Sequence, residues 1–339
     1  MTFNHLCKAT AEPAEIAGDR AYAWILILEM AMTSGTIPGF EVRRLPGDGV
    51  TIDALVGGKG PPLLLLHGWP QTRMCWSKIA PALAPHFTVV VPDLRGYGRS
   101  DKPVGTEDHE TYAKRTMARD QIATMHALGF DTFAVGAHDR GARVAYRLAL
   151  DYPDAVSRFA SLDVIPTADV WNGMRANEAV GMWHWSFLAQ PDQLPERLIG
   201  ADPVSFARHI LTHQSAPGFQ FPSAHLADYF ASAADPASVH AWCEDYRAGW
   251  SADRAADERD RGRRLSMPVL MLWGEHGSLK GKDGLAPWRE WADNVQGQSL
   301  PCGHFIPEEA PNEVVALFLR FFGADHAKGP HGYEYAGDS

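Results

Sequence analysis

Ala137-His138-Asp139-Arg140-Gly141 lies between a strand-like run, Phe133-Ala134-Val135-Gly136, and a helical run from Ala142 to Asp151. Strand, small-residue turn and helix form the setting of a nucleophile elbow, which usually centres on serine. Here the centre is Asp139, and the chain contains no Gly-x-Ser-x-Gly. A carboxylate can attack saturated carbon, expel a leaving group and become an alkyl ester. It needs no base for that attack, since a free Asp titrates near ~3.9. Helix N-capping is the alternative role for the same residue.

Hydrolysis of such an ester does need a base. His304, in Pro301-Cys302-Gly303-His304-Phe305, follows the last strand signal and precedes the last helix. That is the histidine's place in a nucleophile, acid, histidine order. The base needs an orienting acid on its other ring nitrogen. Asp163, after Ser161-Leu162, is the expected acid, and Glu275, after Trp273-Gly274, is the competing one.

Arg140 and Arg143 are three apart at the start of the elbow helix and can share one face. Two cations there oppose the helix macrodipole. With the helix N–H groups they make an anion site, and a guanidinium grips a carboxylate through two hydrogen bonds. Solvated surface arginines are the bland alternative. His67-Gly68-Trp69-Pro70 follows a buried strand, so the amides of Trp69 and Arg140 are the expected oxyanion donors. Asp93 to Ser100 is a glycine-rich structural turn without a phosphate-binding pattern. His209 and His213 lack a third ligand, so no metal is expected.

These residues need a sheet to hold them. Phe40–Arg43 and Val50–Leu55, joined by Pro46-Gly47-Asp48-Gly49, predict an antiparallel hairpin. Continuous apolar runs at 62–66, 87–91, 132–136, 156–163 and 269–273 predict strands buried on both faces. Helical patterns lie at 76–83, 111–128 and 312–322. The alternation predicts an α/β fold with a mostly parallel, doubly wound sheet. From Ile165 to Ala252 the pattern turns helical, with five of the eleven tryptophans and no clear strand. The expected division is an N-terminal extension over 1–36, a core over 37–164 and 253–325, a helical cap over 165–252, and a tail over 326–339.

Composition excludes some classes. The chain has 339 residues, is 45% hydrophobic, carries a net charge of −10 and has no basic run. Neither nucleic acid nor an anionic membrane is an expected partner. The apolar run Ala21–Met32 is too short to span a bilayer. Four scattered cysteines without Cys-x-x-Cys suit free thiols in a reducing cytoplasm.

Taken together, the chain resembles the α/β-hydrolase superfamily and, within it, the fluoroacetate (haloacetate) dehalogenases. The likeness runs from about Pro38 to Phe322. It is carried by His67-Gly68-Trp69-Pro70-Gln71, His138-Asp139-Arg140-Gly141-Ala142-Arg143-Val144, Leu162-Asp163-Val164-Ile165-Pro166-Thr167, His184-Trp185-Ser186-Phe187-Leu188-Ala189-Gln190-Pro191, Cys243-Glu244-Asp245-Tyr246-Arg247-Ala248-Gly249 and Gly303-His304-Phe305. The resemblance implies Asp139 as nucleophile, Arg140 and Arg143 on the substrate carboxylate, and His184, Trp185 and Tyr246 on the departing halide. It also implies a small haloacid substrate, no cofactor and a homodimer. An epoxide hydrolase uses the same nucleophile and would need cap tyrosines, for which Tyr229 and Tyr246 are available. Ala137 departs from the Gly common at that position, and slight strain is expected there.

Overall fold

A computed structural model describes residues 35–323. The expected tail and all but Gly35 and Thr36 of the expected N-terminal extension lie outside the described residues. Eight strands form one sheet in the order β1-β2-β4-β3-β5-β6-β7-β8. They are β1 (Phe40–Pro46), β2 (Thr51–Gly58), β3 (Pro62–Leu66), β4 (Thr88–Pro92), β5 (Phe133–His138), β6 (Val156–Leu162), β7 (Val269–Gly274) and β8 (Val295–Leu300). β1 and β2 form the predicted hairpin, and β2 runs antiparallel to β4. All remaining neighbours are parallel.

The apolar runs become the central strands because helices cover both faces. Leu63 to Leu66 of β3 are completely buried. β8 was not legible in the sequence. Its segment, Val-Gln-Gly-Gln-Ser-Leu, is polar because it forms a sheet edge, with only Leu300 fully buried. The helical pattern at 76–83 is split into a 3-10 turn, Arg73–Trp76, and a short helix, α1 (Ala80–Leu83). Pro81 cannot continue a helix begun upstream.

Two core helices matter for the site: α2 (Lys114–Ala127) and α3 (Arg140–Asp151). Between β6 and β7 lie α4 (Thr167–Gly173), α5 (Ala176–Gly181), α6 (Trp183–Leu188), α7 (Leu194–Ala201), α8 (Pro203–Gln214), α9 (Ser223–Ala234), α10 (Pro236–Ala248), a π-helical turn (Gly249–Asp253) and α11 (Arg254–Arg259). No named strand interrupts them. The chain closes with α12 (Leu285–Trp291), α13 (Ile306–Glu309) and α14 (Pro311–Phe322). Among the described residues, no helix is long and apolar enough to cross a membrane.

The strand order dictates where chemistry can sit. The chain leaves β3 for β4 on one side and returns past β3 to β5 on the other. That reversal opens a crevice at the carboxyl ends of the strands, where ligands of open α/β sheets bind. Trp69, Asp139, Asp163 and His304 follow β3, β5, β6 and β8, so all four gather at that edge.

Candidate active site

Asp139 has φ 47° and ψ −119°, a conformation that turns β5 sharply into α3. It makes no N-cap hydrogen bond, so the capping alternative does not apply. A non-glycine residue in that region is strained, and such strain collects at functional sites. The turn is possible because its neighbours are small. A Cβ on Gly141 would lie 2.3 Å from the His67 carbonyl oxygen, and one on Gly68 would lie 2.4 Å from the Asp139 Cβ. The strain expected at Ala137 is absent. Ala137 is an ordinary β5 residue paired with Leu66 and Ser161, and the positive φ falls on Asp139 instead.

The Trp69 amide donates to Asp139 Oδ1 at 2.8 Å. The other oxygen, Oδ2, faces His304 Nε2 at 3.7 Å, an ion-pair distance too long for a hydrogen bond. His304 Nδ1 donates to Asp163 Oδ2 at 2.7 Å. Asp163 is itself fixed, accepting from the Gly274 amide at 3.1 Å and from Ser278 Oγ at 3.0 Å. Glu275, the competing acid, instead accepts from Ser299 Oγ at 3.1 Å. The Arg140 amide makes no bond to Asp139 Oδ1 in this arrangement.

Electrostatics follow from this geometry. Burial disfavours charge on His304, but Asp139 and Asp163 outweigh it and raise its pKa to about 10. Burial also opposes ionisation of Asp139, yet the His304 cation, helped by Arg140, holds it well below the ordinary carboxylate range. At neutral pH the pair is therefore Asp139 carboxylate and His304 imidazolium. His304 titrates above its unfolded value of 6.5, so its stabilising contribution is complete below that value and is lost as pH rises through about 10. The depressed Asp139 contributes above its unfolded value of 3.8 and loses that contribution on acidification below it. Thermal melts should therefore show a fall in stability between pH 6.5 and 10 that is absent from His304→Gln. An equal fall in both proteins would refute this assignment.

Arg140 and Arg143 are not surface arginines; they are 1% and 3% exposed. Arg143 Nη1 donates to the Ile165 carbonyl and to Thr167 Oγ1, both at 3.1 Å. No carboxylate pairs with it among the described residues, and its guanidinium lies 4.5 Å from the Trp185 ring centre. Burial and the neighbouring Arg140 lower its pKa from the usual arginine value. Arg140 is held by Asp245 and lies 4.3 Å from the Tyr246 ring centre. Arg140 Nη1 and Arg143 Nε are buried without a hydrogen-bond partner among the described residues. Leaving charged donors so is costly, and an anion would satisfy them.

A cavity of about 400 Å³ opens beside these groups. Asp139, Arg143, Asp163, His184, Trp185, Tyr246 and His304 all reach its wall, whereas Arg140 does not. Burial lowers the pKa of His184 to about 3, so it is neutral and stacks on Trp69 at 5.4 Å. Tyr246 stays protonated, because burial raises its pKa well above the ordinary phenol. Neither the Tyr246 hydroxyl nor Trp185 Nε1 meets a protein acceptor among the described residues. Tyr229 is elsewhere: its hydroxyl donates to Glu308 Oε1 at 2.5 Å. His213 reaches the cavity wall, with its ring 3.8 Å from that of His209.

Several contributors were invisible in the sequence. His138 Nε2 donates to the His304 carbonyl at 2.8 Å and so fixes the backbone at His304. His67 Nε2 accepts from the Leu94 amide at 3.0 Å and braces the loop that carries Trp69. Asp245, Lys114 and Tyr97 form a buried cluster around Arg140. The sequence signal for Asp245 was only its place before Tyr246 in a charged run, which usually marks a solvated helix face.

A strained turn after the central strand, a histidine on a later loop and a reversal of strand order define one architectural class. The family model for the alpha/beta hydrolase fold matches residues 61–311, and the chain belongs to that family. A fluoroacetate dehalogenase from Burkholderia sp is 43% identical over 295 residues, covering 86% of this chain and 97% of that protein. A soluble epoxide hydrolase from Corynebacterium sp. (strain C12) is 35% identical, covering 81% of this chain and 94% of that protein. Among solved structures, a chain described as an alpha/beta hydrolase from Nostoc sp PCC 7120 is 48% identical with a TM-score of 0.82. That match covers 84% of this chain and 98% of the other.

Proposed function

We propose that this protein is a hydrolytic dehalogenase of short 2-haloacids, converting haloacetate to glycolate and halide through an ester on Asp139. The observation that carries the proposal is an ionised Asp139 at the same cavity as Arg143, a buried cation without a carboxylate partner among the described residues. A neutral epoxide gains nothing from such a cation, while a haloacid carboxylate satisfies it. The 43% identity to a fluoroacetate dehalogenase supports the same reading. An epoxide hydrolase would use two cavity tyrosines, and Tyr229 is committed to Glu308.

In this mechanism Arg143, at the cavity wall, holds the substrate carboxylate together with Nη1 of Arg140, whose guanidinium packs directly behind the wall residues Trp185 and Tyr246. Asp139 Oδ2 attacks the α-carbon, and the carbon–halogen electron pair leaves with the halide. Neutral His184, Trp185 and Tyr246 offer N–H and O–H donors where that charge develops. Esterification removes the Asp139 charge, one of the two carboxylates that raise the His304 pKa. His304 then releases its proton to solvent and becomes a base. It takes a proton from water, and the hydroxide attacks the ester carbonyl. The carbonyl oxygen is Oδ1, already held by the Trp69 amide. One such donor stabilises a tetrahedral oxyanion by about 2.7–4 kcal/mol, and the Arg140 amide can tighten onto the same atom in that state. The ester bond breaks, the leaving alkoxide takes the proton held by His304, and the proton of the new Asp139 carboxyl passes back to His304, so that glycolate leaves with Asp139 ionised and His304 protonated. The helices of residues 165–252 act as the cap that excludes water from the first step.

The test is halide release from purified protein supplied with fluoroacetate and chloroacetate, with styrene oxide as a neutral comparison. Halide and glycolate in equal amounts are expected, and Arg143→Met should raise KM about tenfold or more. Epoxide opening without halide release would overturn the proposal in favour of an epoxide hydrolase.

A further inference from the structure

We infer that Asp245 is a positioning residue for the anion site, holding the Arg140 guanidinium by one edge so that Nη1 stays free for a substrate carboxylate. The inference rests on the carboxylate-binding role proposed above. Asp245 is wholly buried on α10, the helix that also carries Tyr246. Arg140 Nε donates to its Oδ2 at 3.2 Å, and Nη2 donates to Oδ1 at 2.5 Å and to the Asp245 carbonyl at 2.8 Å. This is a side-on, bidentate grip, the geometry that fixes a guanidinium most rigidly. Tyr246 covers one face of the group, and a Cβ on Gly249 would come within 3.2 Å of Nη2. With that edge and that face occupied, Nη1 is the guanidinium nitrogen left buried without a partner among the described residues.

Asp245 is held in turn. The Tyr97 hydroxyl donates to Oδ2 at 2.6 Å, and the Lys114 ammonium of α2 donates to Oδ1. Burial opposes its ionisation, but Arg140 and Lys114 hold its pKa at about 2, so it is charged throughout the working range. Lys114 also lies 3.4 Å from Asp253 in the π-helical turn. One carboxylate thereby ties core helices α2 and α3 to the inserted helix α10. Its charge has the wrong sign to attract an anion, so its benefit to anion binding is geometric.

That conflict of sign supplies a clean test. By Coulomb's law alone, neutralising Asp245 leaves more positive charge at the site and tightens an anion. Under the positioning role the same change frees Arg140 and loosens it. The experiment measures acetate binding through tryptophan fluorescence, since Trp185 lies against Arg143, in wild type, Asp245→Asn, Asp245→Glu and Tyr97→Phe. Chloroacetate kinetics are measured on the same four proteins. Asp245→Asn should weaken acetate about tenfold and raise KM by a similar factor, with kcat changed less. Asp245→Glu should recover part of the loss. Should Asp245→Asn not fold, Tyr97→Phe carries the test, because it loosens Asp245 without changing charge, and about twofold weaker acetate binding is expected. Unchanged or tighter acetate binding in folded Asp245→Asn would overturn the inference, as would a loss confined to kcat. Wild type that binds acetate but releases no halide would refute the dehalogenase proposal while leaving this inference standing.

Discussion

Asp139→Asn should release no halide above background from haloacetate while remaining folded. The expected loss is about 10⁴-fold or more, because removing a nucleophile eliminates the covalent route and leaves only binding and electrostatics. The structure gives this substitution a second readout. Asparagine keeps an oxygen for the Trp69 amide but carries no charge, so it mimics the esterified state. The pKa of His304, about 10 in the wild type, should then fall by more than a unit. An NMR titration of the His304 ring measures this directly. A His304 pKa that stays near 10 in Asp139→Asn would refute the idea that esterification switches the histidine from acid to base.

His304→Gln should separate the two chemical steps. Asp139 remains ionised in this variant, because its carboxylate needs no base to attack. One equivalent of halide per active site is expected, followed by arrest. The arrested protein should carry an adduct of about 58 Da on the peptide containing Asp139, the mass of a carboxymethyl ester. Steady-state turnover should fall about 10²–10⁴-fold, the usual contribution of general acid–base catalysis. Intact-protein mass spectrometry after mixing with chloroacetate is the measurement. Steady turnover without an accumulated adduct would mean that water, not Asp139, displaces the halide. Loss of the halide burst as well would mean that the imidazolium is needed for attack.

Much of the fold was legible because the local signals were strong. Leu63–Leu66 and Val89–Val91 are continuous apolar runs, and such runs can be satisfied only where both faces of a strand are covered. β8 escaped because it is an edge, where Gln296 and Gln298 are exposed and no apolar run is required. The elbow was legible for a similar reason. A nucleophile on a turn between strand and helix demands small neighbours and one strained residue within a few positions, so its signature is contiguous.

Partnership between distant residues was a different matter. The sequence itself determined the chemical types: an aspartate where serine is usual, two arginines at a helix start, a histidine late in the chain. It favoured Asp163 over Glu275 as the orienting acid, and the folded chain brings Asp163 to His304 at 2.7 Å while turning Glu275 to Ser299. The tertiary structure alone took Tyr229 away from the cavity, paired Arg140 with Asp245 across 105 residues, and left Arg143 buried without a carboxylate partner among the described residues. The reason is physical. Strand and turn preferences act over a few residues. Which charges lose water, and which partners they then find, depends on the close packing of elements far apart in sequence.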